Sequence, residues 1–264
     1  MSRDQQITAD AWTKLRAATS ARIALGRAGG SLPTQEWLDF KAAHAAARDA
    51  VHQTFDAEQL AGEIAALGVE SIVLQTAATD RHTYLQRPDW GRRLNPASAA
   101  RLQALADPAS PPDLAIVASD GLSALAVHRQ VVPLLALLLP KLATDRWRLA
   151  PLVVVRFGRV AVEDEVGALL GTQLALMLIG ERPGLGSPDS LGAYLVHAPR
   201  VGNKDANRNC VSNIRPEGLD SNAAADTLFY LLSESRRRQI SGVELKDERE
   251  VAAGPRILPA GDGS

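Results

Sequence analysis

The sequence predicts an α/β fold: a Rossmann-like parallel sheet flanked by helices over residues 66–249, preceded by a helical arm (1–65) and followed by a tail (250–264). Three observations predict it. Short apolar runs at Val69 to Leu74, Leu114 to Ala118, Leu152 to Val155 and Leu174 to Ile179 alternate with segments of helical pattern, as in successive strand-helix-strand units. Leu152-Val153-Val154-Val155 is apolar at every position, so both faces of that strand need cover, which is the habit of parallel sheets. A chain of 264 residues that is 46% hydrophobic also has enough apolar material for one large domain.

In chain order, Thr8 to Trp12 offers caps for a helix from Thr13 to Leu25, which Gly26 to Pro33 stops. Thr34-Gln35-Glu36 caps a second helix reaching about Phe55. His44, Arg48 and His52 fall on one stripe of that helix; two histidines eight apart without a third ligand suit a polar interface better than a metal, so the arm reads as a docking device. Residues 81–102 form a surface excursion rich in Arg and Pro. Behind Leu114 to Ala118, the turn Ser119-Asp120-Gly121-Leu122-Ser123 opens a helix from Ala124; it is either a cap or a cradle of backbone amides for a ligand. The apolar run Val131 to Leu139 is about half a bilayer span and reads as a buried helix.

Phe157-Gly158-Arg159 turns the chain toward Glu163-Asp164-Glu165, three acids that complement the dipole of a helix start. After Ile179 comes a loop dense in Gly and Pro, Gly180 to Gly192, at the carboxyl end of a strand, where open α/β sheets bind ligands. Tyr194 to Asn209 reads as bent and polar, and a last helix runs from Ser221 to Gln239.

Charge and composition narrow the function. Basic and acidic residues number 29 and 30 and aromatics are 4%, which disfavours a general nucleic-acid binder and base-stacking platforms. No signal-like or membrane-spanning run is evident, and one cysteine, Cys210, forms no internal disulfide; cytoplasm is the expected location. No Gly-x-Gly-x-x-Gly follows a strand and no phosphate loop ends in Gly-Lys-Ser or Gly-Lys-Thr, so NAD or ATP use has little support.

Several blocks carry a resemblance. They are Ser20-Ala21-Arg22-Ile23-Ala24-Leu25-Gly26-Arg27, Ala47-Arg48-Asp49-Ala50-Val51, Ser119-Asp120-Gly121-Leu122-Ser123, Gly158-Arg159-Val160, Gly180-Glu181-Arg182-Pro183-Gly184-Leu185, Arg208-Asn209-Cys210 and Arg236-Arg237-Arg238-Gln239. Together, in order, they resemble the small subunit of ethanolamine ammonia-lyase. The resemblance implies a partner, the large catalytic subunit, in a hetero-oligomer with six of each. It also implies adenosylcobalamin held between the subunits, with Val160, Glu181 and Cys210 as cofactor contacts here and no catalytic residue on this chain. Ethanolamine would be bound mainly by the large subunit and converted to acetaldehyde and ammonia by a radical route.

Glu181 suits acceptance from corrin amide N–H groups, its alternative being an ion pair with Arg182; Cys210 suits a small contact rather than a nucleophile. Asp80-Arg81-His82-Thr83-Tyr84-Leu85 begins like the Asp-x-His-x-x-Gly signature of histidine-ligated cobalamin but has Leu85 for glycine, in keeping with base-on binding. The extension that directs longer family members to a microcompartment is expected to be missing. Two other readings compete: a stand-alone α/β enzyme with some other phosphorylated or nucleotide ligand at Asp120-Gly121 and Glu181-Arg182, and an adaptor without cofactor.

Overall fold

The computed structural model describes residues 7–19 and 21–249. The expected tail at 250–264 and Ser20 of the first resembling block lie outside them.

Six strands form one sheet in the order β1-β3-β2-β4-β5-β6. They are β1 (Ser71–Gln75), β2 (Leu114–Ser119), β3 (Leu152–Arg156), β4 (Leu174–Gly180), β5 (Leu191–His197) and β6 (Arg208–Ile214). The first four run parallel, as the alternation predicts. β5 and β6 are antiparallel, so the sheet is mixed. Neither is expected from the sequence, where Pro199 and Gly202 suggest bent backbone after Tyr194 and the polar run Asn203 to Asn209 suggests a turn before Cys210. Yet Leu191, Ala193 and Leu195 alternate toward the core, a strand period that the flanking glycines conceal.

Both faces of the parallel strands are covered. Leu114, Ile116, Leu152, Val154, Leu176 and Leu178 meet α2 (Ala57–Ala65), α5 (Ala124–Thr144) and α7 (Ser221–Arg238) on one side. Val117, Val153, Val155, Met177 and Ile179 face α4 (Pro96–Gln103) and α6 (Val162–Leu170) on the other. α5 alone among the described helices is long and apolar enough to cross a membrane. Here it packs between the sheet and α7 with Leu134, Leu135, Leu138 and Leu142 buried.

The arm departs from expectation. The helix expected from Thr13 to Leu25 is a six-residue 3-10 segment, Thr13–Ala18, followed by irregular backbone; Ala24 and Gly26 both adopt positive φ, which an α-helix does not accommodate. α1 (Thr34–His52) is present and buries only Ala50, whereas α2 sends Ala57, Leu60 and Ile64 into the main core.

Candidate functional site

The carboxyl ends of β2, β3 and β4 are tied together by short hydrogen bonds. Phe157 N–H donates to Asp120 Oδ1 at 2.7 Å, Gly158 N–H to Ser119 Oγ at 2.8 Å, and Leu122 N–H to the Gly180 carbonyl at 2.9 Å. Only glycine permits this approach: a Cβ on Gly121, whose φ is +52°, would stand 2.3 Å from the Gly180 oxygen, and one on Gly180 would stand 2.1 Å from the Ser123 oxygen. The Ser119-to-Ser123 turn is also a helix cap, with Ala126 N–H donating to Ser123 Oγ at 3.2 Å.

Asp120 is buried beneath these loops. Arg81, from α3 (Arg81–Gln86), donates through Nη1 to Asp120 Oδ2 at 3.0 Å and to the Gly121 carbonyl at 2.7 Å, and through Nε to the Val51 carbonyl at the end of α1. Burial outweighs the Arg81 charge and pushes Asp120 up to about 6. Asp80 caps α3 by accepting from Thr83 N–H at 2.8 Å, and His82 is exposed, so the Asp-x-His pair serves a helix start.

A cleft of about 410 Å³ opens above this floor, bounded by Tyr84, Gly121, Arg159, Val160, Ile179, Glu181, Arg182, Tyr194 and Ser212. Val160 is half-buried against the second core. Glu181 makes no ion pair with Arg182 among the described residues; instead Ser190 Oγ and Ser212 Oγ donate to its two oxygens at 2.6 Å each, and Asn213 N–H adds a longer bond at 3.3 Å. Gly192 leaves room for that carboxylate, since a Cβ there would lie 2.9 Å from Glu181 Oε1.

Cys210 stands one step outside the cleft. It lies opposite Tyr194 in the β5–β6 register. Partial burial of the sulfur pushes its thiol up, which favours the neutral form over a nucleophilic thiolate. Val160, Glu181 and Cys210 are therefore brought together on one surface, with Tyr194 and Ser212 as the links.

The acidic trio at the start of α6 is structural. Glu163 accepts from Arg208 Nε at 2.8 Å, Asp164 accepts from Arg208 Nη2, and Glu165 holds Arg93 and the Leu94 N–H. Burial raises Glu163 well above the usual carboxylate range. Arg208 thereby clamps the first residue of β6 to α6, two residues from Cys210. The His44, Arg48 and His52 positions are all exposed on α1.

Sequence reasoning gave no role to Tyr194, Ser190, Ser212, Arg159 or Tyr84. Their parts depend on contacts between segments far apart in the chain, such as Tyr84 with Gly158 and Ser212 with Glu181.

The fold and the cleft define an α/β protein with a mixed sheet, whose candidate site lies past the carboxyl ends of the parallel strands and beside an antiparallel pair. The model of the family ethanolamine ammonia-lyase light chain (EutC) matches residues 9–246. The chain is 60% identical over 242 residues to the ethanolamine ammonia-lyase small subunit of Pseudomonas putida KT2440, covering 91% of this chain and 89% of that one. It is 55% identical over 264 residues to the protein of that name from Azotobacter vinelandii DJ, covering 100% and 97%. The chain belongs to the ethanolamine ammonia-lyase small-subunit family.

Proposed function

We propose that the chain is the small subunit of an adenosylcobalamin-dependent ethanolamine ammonia-lyase, holding one side of the base-on corrinoid while the large subunit binds ethanolamine and carries the catalytic groups. The observation that carries this reading is the convergence of Val160, Glu181 and Cys210 on one cleft and its adjoining strand pair. The residues suit the group. Corrin is broad, largely apolar and fringed by neutral amides, and the surface offers Val160 and Tyr194 and a fixed acceptor in Glu181. A corrinoid is much larger than a cleft of about 410 Å³, which favours a ligand shared with a second subunit.

Adenosylcobalamin supplies radical chemistry through its cobalt–carbon bond, which no side chain can supply. The chain's own part is to bind and orient. Val160 packs against an apolar face, Glu181 accepts from amide N–H groups, the Cys210–Tyr194 pair adds a small polar contact, and closure against the partner excludes water. An assembly with six of each subunit and a location in free cytoplasm, which suits a lone thiol, complete the proposal.

Purified chain mixed with its large subunit, adenosylcobalamin and ethanolamine is the test. Ammonia release is expected from the mixture and not from either part. Glu181→Ala and Val160→Asp should each cut turnover and weaken corrinoid binding by about tenfold or more, followed through the visible spectrum. Turnover by the chain alone would overturn the subunit role, and a stable complex that binds no corrinoid would overturn the cofactor role.

A further inference from the structure

The cleft carries more positive charge than its own carboxylates neutralise. Arg81 is the partner of Asp120, and Glu181, oriented by Ser190, Ser212 and Asn213, sets one negative charge against two further arginines. Arg159 and Arg182 both line the cleft, and among the described residues neither forms an ion pair.

Arg159 is the more firmly placed. Its guanidinium lies 4.0 Å from the Tyr84 ring centre, and Nη2 donates to the Tyr84 carbonyl at 3.3 Å. Tyr84 is in turn fixed by donating its hydroxyl to the Gly158 carbonyl at 3.1 Å. The Nε of Arg159 is buried with no acceptor. A buried donor left unmatched is costly, and a planar guanidinium locked over an aromatic ring has already lost the freedom that binding would otherwise remove. Arg182 is exposed at the mouth of the cleft and close enough to Arg159 for their charges to repel. Two like charges kept together with no carboxylate in direct contact with either are an arrangement that an incoming oxyanion relieves.

We propose that Arg159, assisted by Arg182, is the receptor for an anionic phosphate group on the ligand, namely the phosphodiester that joins the corrin ring to its lower base. The assignment rests on the corrinoid reading above and adds which part of the molecule enters the cleft. The amides around the ring are neutral, whereas the phosphodiester is charged and presents two free oxygens to a guanidinium fork. The nucleotide arm then occupies the cleft, and the ring lies outward over Val160 and the β5–β6 surface.

The test compares two corrinoids on the complex with the large subunit: hydroxocobalamin, and cobinamide, which lacks the nucleotide arm and its phosphodiester. Binding is read at equilibrium from the visible spectrum, without turnover. R159Q should weaken hydroxocobalamin by about tenfold or more while changing cobinamide by less than about twofold, and R159K should recover part of the loss. R182Q, at an exposed position that the fold does not need, should show the same selectivity with a smaller loss. Equal weakening of both corrinoids by these variants, or no change in either, would overturn the phosphate assignment. Competition of free inorganic phosphate with cobinamide as strongly as with hydroxocobalamin would also overturn it, because the anion site would then be separate from the nucleotide arm. Failure of the unmodified complex to bind either corrinoid would overturn the cofactor reading together with this one.

Discussion

Asp120 shows what one residue contributes when it is placed under three loops. Its carboxylate receives Arg81 and the Phe157 N–H, yet burial lifts it to about 6. A folded-state value above the unfolded one, near 3.9, means that the native chain holds this proton more tightly, so the stabilisation is present below about pH 4 and is lost as pH rises through about 6. Asp120→Asn does not titrate. The unfolding free energy of the unmodified chain minus that of Asp120→Asn should therefore fall by an amount on the order of 3 kcal/mol between about pH 4 and pH 7, then level off. Urea titrations at stepped pH measure it, and a difference independent of pH would remove Asp120 from this role. The sequence marked Asp120 as the mouth of a strand-turn-helix unit and left its task open between cap and cradle. Its buried partner was beyond reach, because Arg81 belongs to a segment read as surface excursion and meets Asp120 only through the sheet.

At the level of elements, the site depends on how closely β2 and β4 end beside each other. Gly180→Ala forces a Cβ to within 2.1 Å of the Ser123 carbonyl, against backbone that cannot move without opening the Leu122–Gly180 bond. The expected cost is about 3 kcal/mol or more, seen as a lower melting temperature. Gly186→Ala, with nothing within 4 Å of its Cβ, should stay within about 0.5 kcal/mol of the unmodified chain. Equal melting of the two would show that the loops do not need close approach. The four parallel strands and most of the helices were legible because their apolar runs are long and uninterrupted. β5 and β6 were not: one face of β6 is open and carries Cys210 and Ser212, and on the other Asn209 donates to the Gly242 and Leu245 carbonyls, so neither face shows an unbroken core pattern. Val160, Glu181 and Cys210 were reached through resemblance; periodicity alone pointed only to the loop that holds Glu181.

For the whole molecule, burial is unevenly shared. β2 and β4 are buried at every residue, whereas α1 offers Ala50 alone to the core and leaves Trp37 and Leu38 in solvent. A helix of this length with little packing is marginal by itself. In the isolated chain, amide exchange over residues 34–49 should approach the rate of local opening, while β2 and β4 exchange only through global unfolding. Protection of α1 equal to that of β4 would contradict this. The strand order has a different kind of consequence, in the time over which the chain is made. β1 has a single neighbour, β3, and the two are separated by roughly 80 residues, so β1 and β2 leave the ribosome with no parallel partner for either. At ~5–20 residues per second, β1 waits about 4–16 s for the strand it pairs with. The centre of the sheet therefore assembles only when β3 arrives to enter between two strands already made, and a nascent chain stalled before that point carries both as unpaired, aggregation-prone segments.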